Sequence, residues 1–185
     1  MLKAGMTKSD IEKEIAGKGT FVQIDHLTRF LKEPLTMDMK KFVYLKLAEV
    51  YERISMFKDA AKMYDSMAGL SMTFVEKIKH HVKSLEAYIR GADIVGAENA
   101  MKKAVSEANS VQREDINQQA LRMYKEQAAL FEKNNKRGSA VQLYEKLMEM
   151  RISELERKEI REKLQGLYEK LGMRKELRDI SRKNP

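Results

Sequence analysis

The chain of 185 residues contains no cysteine and no tryptophan, and it has only two prolines and nine glycines. Without cysteine it can form neither disulfide bonds nor thiolate metal sites. Because proline and glycine interrupt regular structure, their scarcity favours helices over strands. No apolar run approaches the roughly 20 residues of a membrane span, and residues 1–8 lack the apolar stretch of a secretory signal. We therefore expect a cytoplasmic protein without a membrane span.

Charged residues and good helix formers dominate the composition instead. Hydrophobic residues make up 43% and charged residues 35%, which excludes disordered chains and membrane proteins and allows one domain or a short repeat array. The formal net charge is +8, and residues 151–185 hold 11 Lys/Arg against 7 Asp/Glu, half of that excess. A basic terminus can attract nucleic acid or acidic surfaces, and it can equally be a solvated outer face.

One residue pattern recurs four times along the chain. Each copy contains an aromatic residue, namely Tyr51, Tyr88, Phe131 or Tyr168. The residue three positions before the aromatic is Ala48, Leu85, Ala128 or Gln165, and the residue nine positions after it is Ala60, Ala97, Ala140 or Leu177. Thirteen positions after the aromatic come Tyr64, Met101, Tyr144 and Ser181. Such periodic self-similarity is typical of stacked helix pairs, in which no single pair can bury its apolar face alone. Small residues would let paired helices approach, and the aromatics would fill the space between pairs.

Capping residues predict where the helices begin and end. Three capping boxes predict helix starts, at Ser9/Glu12, Thr73/Glu76 and Ser153/Glu156. Pro34 predicts a helix end, and Gly172 predicts a left-handed C-cap. In all, the sequence predicts about ten helices, one of them running from about residue 114 to residue 134. Two of them form an N-terminal cap in residues 1–35, and the rest form about four pairs in residues 36–185, the last pair acting as a C-terminal cap.

Two of the recurring segments resemble tetratricopeptide repeats (TPRs). They are Leu47-Ala48-x-x-Tyr51 … Ala60-x3-Tyr64 and Ala128-x-x-Phe131 … Ala140-x3-Tyr144, while Leu167-Tyr168-x-x-Leu171-Gly172 resembles the turn of a further repeat. The aromatics are 37, 43 and 37 residues apart, so the pairs are longer than the usual 34 residues and are similar to those of the soluble NSF-attachment proteins. The resemblance covers about residues 36–185. It implies an all-α, antiparallel helix-pair solenoid that acts as a non-enzymatic scaffold.

The resemblance also implies a binding face. TPR arrays bind their ligands in a concave groove lined by the first helix of each pair, and the corresponding residues here are Lys46, Glu49, Arg53, Lys83, Glu86, Arg90, Arg122 and Lys125. We therefore expect a mixed-charge groove that binds a protein or peptide partner. The alternative interpretation is a set of ordinary surface ion pairs along helices. Leu45 and Glu49 occupy the positions of the Lys and Asn that clamp a terminal carboxylate in some TPR proteins, so no such clamp is implied.

A basic stripe near the C-terminus predicts an alternative function. Arg174, Arg178 and Arg182 follow one another at intervals of four residues and share one helix face. This stripe is a candidate surface for an RNA- or ribonucleoprotein-associated module. Residues 173–185 contain no aromatic on which bases could stack, so a solvated capping helix is the competing interpretation.

Signals of catalysis or metal binding are weak. His80 and His81 point about 100° apart on a helix, and the pair Glu76 and His80 supplies only two ligands where zinc takes three or four. The glycine-containing segment 17–20 lacks the upstream glycine and the preceding strand of a phosphate-binding loop, so we expect a turn there. No nucleophile with a nearby partner stands out. We expect no enzymatic activity, no cofactor and no metal.

Overall fold

The computed structural model describes residues 2–3 and 5–182, and in this part of the chain it contains ten α-helices and no strand. The predicted all-α fold of about ten helices is therefore confirmed. The helices are α1 (Lys8–Ile15), α2 (Thr20–Phe30), α3 (Met37–Arg53), α4 (Phe57–Gly69), α5 (Phe74–Arg90), α6 (Ile94–Ser106), α7 (Ser110–Lys133), α8 (Arg137–Glu149), α9 (Glu154–Leu171) and α10 (Arg174–Arg182).

The chain divides into two compact units, Met1–Ile116 and Asn117–Pro185, and the division lies inside α7. In the first unit, α1, α2 and α3 share one apolar core, formed by Ile11, Ile15, Leu27, Phe30, Val43 and Leu47. The two N-terminal helices thus pack directly on the first predicted pair. The predicted domain boundary after residue 35 remains a prediction.

Within each unit, consecutive helices pack side by side. In the first unit, Lys41 near the start of α3 pairs with Glu76 near the start of α5, with 3.0 Å between Nζ and Oε2. Near the other ends of the same helices, Arg90 pairs with Glu52 at 2.7 Å. The helices α3 and α5 therefore run in the same direction, with α4 packed against both in the opposite direction.

The same turn joins the two helices of each predicted pair. Four residues after the recurring aromatic, the backbone is left-handed, with φ of 60° at Ser55, 54° at Ala92, 56° at Asn135 and 70° at Gly172. The next N–H donates to the carbonyl of the aromatic, over 2.8–3.0 Å in all four turns. The second helix then begins six residues after the aromatic in every pair. This bond from the residue after the left-handed position supplies a partner for a carbonyl in the last turn of the first helix.

The alanines of the pattern lie in the interior of the fold. Ala48, Ala60, Ala97, Ala128 and Ala140 are all fully buried. Among the aromatics, Phe131 and Tyr168 are buried, while Tyr51 and Tyr88 are half-buried. The pattern weakens in the fourth pair, because α10 has no buried residue and Leu177 is only half-buried.

Two predicted helix starts are wrong. The first helix is capped by Thr7 and Asp10 instead of Ser9 and Glu12: the Thr7 hydroxyl accepts from the Asp10 N–H, and the Asp10 carboxylate accepts from the Thr7 N–H. Both pairs have the same spacing, and the extended backbone of Thr7 decides between them. The predicted start of α7 near residue 114 is also wrong. Here Asn109 and Gln112 exchange backbone-to-side-chain hydrogen bonds of 2.9 and 3.0 Å, so the helix begins at residue 110.

Three other predicted caps have a full or partial structural counterpart. The box of Ser153 and Glu156 is present at the start of α9, and Gly172 adopts the left-handed conformation that ends it. At the start of α5, Thr73 accepts from the Glu76 N–H, but the Glu76 carboxylate pairs with Lys41 of α3. The sequence identified this helix start correctly, and a tertiary ion pair replaces half of the predicted box.

Candidate functional site

Ion pairs link α1 to α3 and α3 to α5 in the first unit. Lys8 of α1 pairs with Asp38 of α3 at 2.8 Å. Lys46 of α3 pairs with Glu12 of α1 at 2.8 Å and with Glu49 on its own helix at 3.0 Å. The hydrogen bond to Glu12 raises the pKa of Lys46, and the second bond to Glu49 adds to this effect against the cost of partial burial. The Lys46 ammonium is therefore a fixed positive charge between two carboxylates.

A polar cavity of about 370 Å³ lies beside α3, and Glu12, Gln23, Lys46, Glu49 and Arg53 are among the residues that line it. The Gln23 amide donates to the carbonyls of residues 15 and 18, at 3.2 and 2.8 Å, and so holds the turn between α1 and α2 beside the cavity. Arg53 is exposed and has no carboxylate partner among the residues that the structure describes. The cavity thus combines an occupied ion-pair network with one available guanidinium.

The predicted residues of α5 are engaged differently. Lys83 pairs with Glu86 at 2.8 Å on its own helix. Arg90 donates to Glu52 of α3 at 2.7 Å, and its guanidinium lies over the Phe57 ring, 4.5 Å from the centroid. A guanidinium fixed by an aromatic face and a carboxylate is held more rigidly than an exposed lysine.

A tyrosine completes the cluster around Glu52. The Tyr64 hydroxyl of α4 donates to the Glu52 carboxylate at 3.0 Å. Burial raises the pKa of this hydroxyl, and the neighbouring Glu52 charge raises it further, so the phenol stays protonated and remains a donor. Helices α3, α4 and α5 therefore meet at one carboxylate.

The second unit repeats this arrangement. The Tyr144 hydroxyl donates to Glu132 at 2.9 Å, and Lys163 lies 3.1 Å from the hydroxyl and 3.7 Å from the carboxylate. Glu132 directly follows the recurring aromatic Phe131, as Glu52 follows Tyr51, and in each case the tyrosine comes twelve residues after the glutamate. The cluster of tyrosine, glutamate and cation therefore recurs in the first and third of the four predicted pairs.

The two predicted groove residues of the second unit lie on α7. Arg122 is exposed and has no carboxylate partner in the described part of the chain. Lys125 forms an ion pair with Glu156 at the start of α9. The hydrogen bond from Lys125 lowers the pKa of Glu156 to about 2, and the hydrogen bonds from Ser153 add to this effect. Beside this pair, Lys125, Tyr144, Glu156 and Lys163 line part of a second cavity of about 200 Å³.

Six of the eight predicted groove residues thus lie on α3 and α5 of the first unit, and the other two lie on α7 in the second unit. A single groove through all eight remains a prediction. Sequence reasoning missed Glu12 and Glu52, which contact the predicted residues Lys46 and Arg90. It also missed Glu132 and Lys163, which contact each other. For Glu52 and Glu132, the signal available in the sequence was their position directly after the recurring aromatic residue.

The basic stripe lies on α10, as the sequence predicts. Arg174, Arg178 and Arg182 are all exposed, and none of them pairs with a carboxylate in the described residues. The Arg178 Nε lies 3.3 Å from the Arg174 carbonyl oxygen, one helical turn away. The stripe is therefore accessible to an anionic partner.

The two histidines of α5, His80 and His81, have different surroundings. Burial lowers the pKa of His80, and the nearby Lys41 charge lowers it further. His81 lies with its Nδ1 3.1 Å from the Asp65 carboxylate, which also accepts from Lys103 at 2.7 Å. Burial alone would raise the pKa of Asp65, but these hydrogen bonds outweigh it and the pKa is lowered. Over residues 2–3 and 5–182, no group of three or more His, Asp or Glu side chains is placed to hold a metal ion.

Comparisons with known proteins give no further guidance on this site. No protein-family model matches the chain, and neither the curated proteins nor the solved structures give a significant match. None of the described helices is both long and apolar enough to cross a membrane. Any functional assignment therefore depends on the geometry of the chain itself.

Proposed function

We propose that the protein is a non-enzymatic adaptor that binds a protein or peptide partner on the charged side of α3 and α5. We call this surface the α3/α5 face, formed by Lys46, Glu49, Arg53, Lys83, Glu86 and Arg90. The polar cavity beside α3, with its single available guanidinium, is the observation that carries the proposal. The proposal includes a scaffold of TPR-like helix pairs and a cytoplasmic location.

The physical basis of recognition is charge complementarity with limited side-chain ordering. A carboxylate of the partner would pair with Arg53, and a cationic group would approach Glu12 and Glu49, which each have acceptor capacity beyond Lys46. The network around Lys46 is already formed, so binding would cost less side-chain entropy than it would on a surface of unpaired charges. Such an interface favours partners that carry both acidic and basic side chains.

An affinity capture from cell lysate, followed by mass spectrometry, tests the proposal. We expect the double variant R53E/K83E to lose specific partners, because it reverses two positive charges on the α3/α5 face. K32E/K102E is the matched control, since it also reverses two exposed lysines of the same unit, and neither belongs to the α3/α5 face. Retention of the same partners by R53E/K83E and K32E/K102E would show that the α3/α5 face is not the binding surface.

A second candidate function is supported by the exposed arginines of α10. In an RNA- or ribonucleoprotein-associated module, these residues would contact phosphates, and affinity would fall steeply as salt is raised. The variant R174E/R178E/R182E should then lose RNA binding. Nuclease treatment of the lysate separates the two functions, because captured proteins that depend on RNA disappear and direct partners of the α3/α5 face remain.

A further inference from the structure

Apolar side chains are exposed where the chain leaves α4 and enters α5. The exposed fractions are 81% for Met72, 64% for Phe74 and 67% for Val75. Met37, the first residue of α3, is 49% exposed, and the ion pair between Lys41 and Glu76 holds the first turns of α3 and α5 side by side. We call these four side chains the apolar patch. A cluster of exposed apolar side chains, as opposed to single scattered ones, is typical of a surface that binds a partner or a membrane.

Positive charge surrounds the apolar patch. The first five residues of α3 and the first six of α5 contain four lysines and two carboxylates. Both carboxylates are already paired, Asp38 with Lys8 at 2.8 Å and Glu76 with Lys41 at 3.0 Å. In the described residues, Lys40 and Lys79 have no carboxylate partner. Lys77 pairs with Glu107 of another segment at 3.6 Å, so Lys40 and Lys79 supply the unpaired positive charge at the ends of α3 and α5.

The lysines and the apolar side chains share the same helix faces. Lys79 follows Val75 by four residues on α5, and Lys40 follows Met37 by three residues on α3, so each lysine lies one turn behind an apolar residue. The ammonium of Lys77 also lies over the Phe74 ring, 5.6 Å from the centroid. The same order is found at the surface of a bilayer, where phosphates lie outside the acyl chains. Apolar side chains at the helix ends can therefore reach the acyl boundary while the lysines one turn behind them meet the phosphates.

We propose that the apolar patch docks on the surface of an anionic phospholipid bilayer. Met72, Phe74 and Val75 enter the boundary between headgroups and acyl chains, and Lys40 and Lys79 contact headgroup phosphates. The surplus of lysines is complementary to the negative surface potential of an anionic membrane, so we commit to a bilayer as the occupant of the apolar patch. This activity is independent of the α3/α5 face, because it uses the ends of the helices and none of the residues of that face.

Vesicle co-sedimentation of the full chain tests the proposal. We expect binding to phosphatidylcholine vesicles that contain about 30% phosphatidylserine and little binding to phosphatidylcholine alone, because the negative surface potential attracts the lysines. Val75→Asp should weaken binding about tenfold, since it places a charge where an apolar side chain enters the bilayer. Val95→Asp is the matched control: Val95 is likewise the second residue of its helix and is 70% exposed, compared with 67% for Val75.

Both aspartates lie at helix N-termini, where a negative charge favours folding, so circular dichroism should be unchanged in both variants. Lys40→Gln combined with Lys79→Gln should also weaken binding to the anionic vesicles about tenfold, because each lysine near such a surface contributes severalfold. The proposal is overturned if the wild-type chain does not bind the anionic vesicles, if it binds neutral vesicles equally well, or if V75D and V95D bind alike.

Discussion

Single residues in the repeated turn hold backbone conformations that favour glycine. The left-handed position is glycine only in the fourth pair, and Ser55, Ala92 and Asn135 take it in the others. An asparagine or serine side chain can hydrogen-bond locally in this conformation, whereas the alanine methyl has no such compensation. Ala92 is therefore the turn residue at which strain is largest.

We predict that Ala92→Gly raises the free energy of unfolding by about 0.5–1 kcal/mol, because relief of the left-handed strain exceeds the extra chain entropy of glycine. The urea unfolding midpoint measures the change. Gly172→Ala is the reciprocal variant, since φ is 70° there, and it should lower the stability. A less stable A92G would mean that Ala92 is not strained.

Gly96 of α6 is required for a different reason. A Cβ at this position would lie 2.4 Å from Cδ1 and 2.8 Å from Cγ of Tyr88, close to the base of the ring, where a small rotation gives little relief. We predict that Gly96→Ala lowers the free energy of unfolding by about 1–3 kcal/mol through overpacking.

The control for G96A is Gly166→Ala in α9, where a Cβ would meet no atom within 4 Å. There alanine should raise the stability by about 0.5–1 kcal/mol, because it loses less backbone entropy than glycine in a helix. Opposite signs for the two variants are the expected result in chemical denaturation. Equal stabilisation would show that the Tyr88 ring does not pack on Gly96.

At the scale of helices, the tyrosine–glutamate cluster joins three elements through one carboxylate. We predict a coupling free energy of about 1–2 kcal/mol between Tyr64 and Glu52, since hydrogen bonds to charged groups are stronger than neutral ones and this one is partly screened by water. A double-mutant cycle of Y64F, E52Q and the double variant measures it. The exposed pair of Lys83 and Glu86 should couple by no more than about 0.5 kcal/mol. Equal coupling in both cycles would contradict a structural role for the cluster.

The start of α9 should respond to acid. The pKa of Glu156 is lowered from 4.5 to about 2 in the folded chain, so its ion pair with Lys125 stabilises the fold above about pH 4.5, and this contribution is lost as the pH falls towards 2. We predict that the difference in unfolding midpoint between the wild type and E156Q shrinks over this interval. E154Q controls for loss of a charge from the same turn, because Glu154 is 92% exposed. A pH-independent difference would exclude the ion pair as its cause.

Local signals in the sequence were sufficient for the number of helices and for most of their limits, but not for the site. Ser153 and Gly172 mark the limits of α9 through interactions within a few residues, which a linear pattern contains. The cap of α1 could not be chosen in this way, because two pairs with the same spacing compete. The partners of the site residues lie far apart in the chain: Arg90 meets Glu52 from 38 residues away, and that meeting depends on how α3 and α5 pack.

At the scale of the whole molecule, the dominant property is the net charge of +8. Any chain of this charge attracts RNA through its phosphates without a specific site, and this generic term is strongly salt-dependent. Binding to RNA is therefore informative only if it depends on where the positive charge lies. Two triple variants with the same net charge can separate placement from total charge.

The variants R174E/R178E/R182E and K32E/K102E/K133E each replace three exposed cations and lower the formal net charge from +8 to +2. If the protein is an adaptor without an RNA site, we predict that both lose RNA affinity to the same extent at low salt, with equal salt slopes, because the generic attraction follows total charge. Fluorescence anisotropy with a labelled single-stranded RNA across a salt series measures this. A greater loss and a shallower slope for the α10 variant alone would instead assign the phosphate contacts to that helix and support the RNA-binding function.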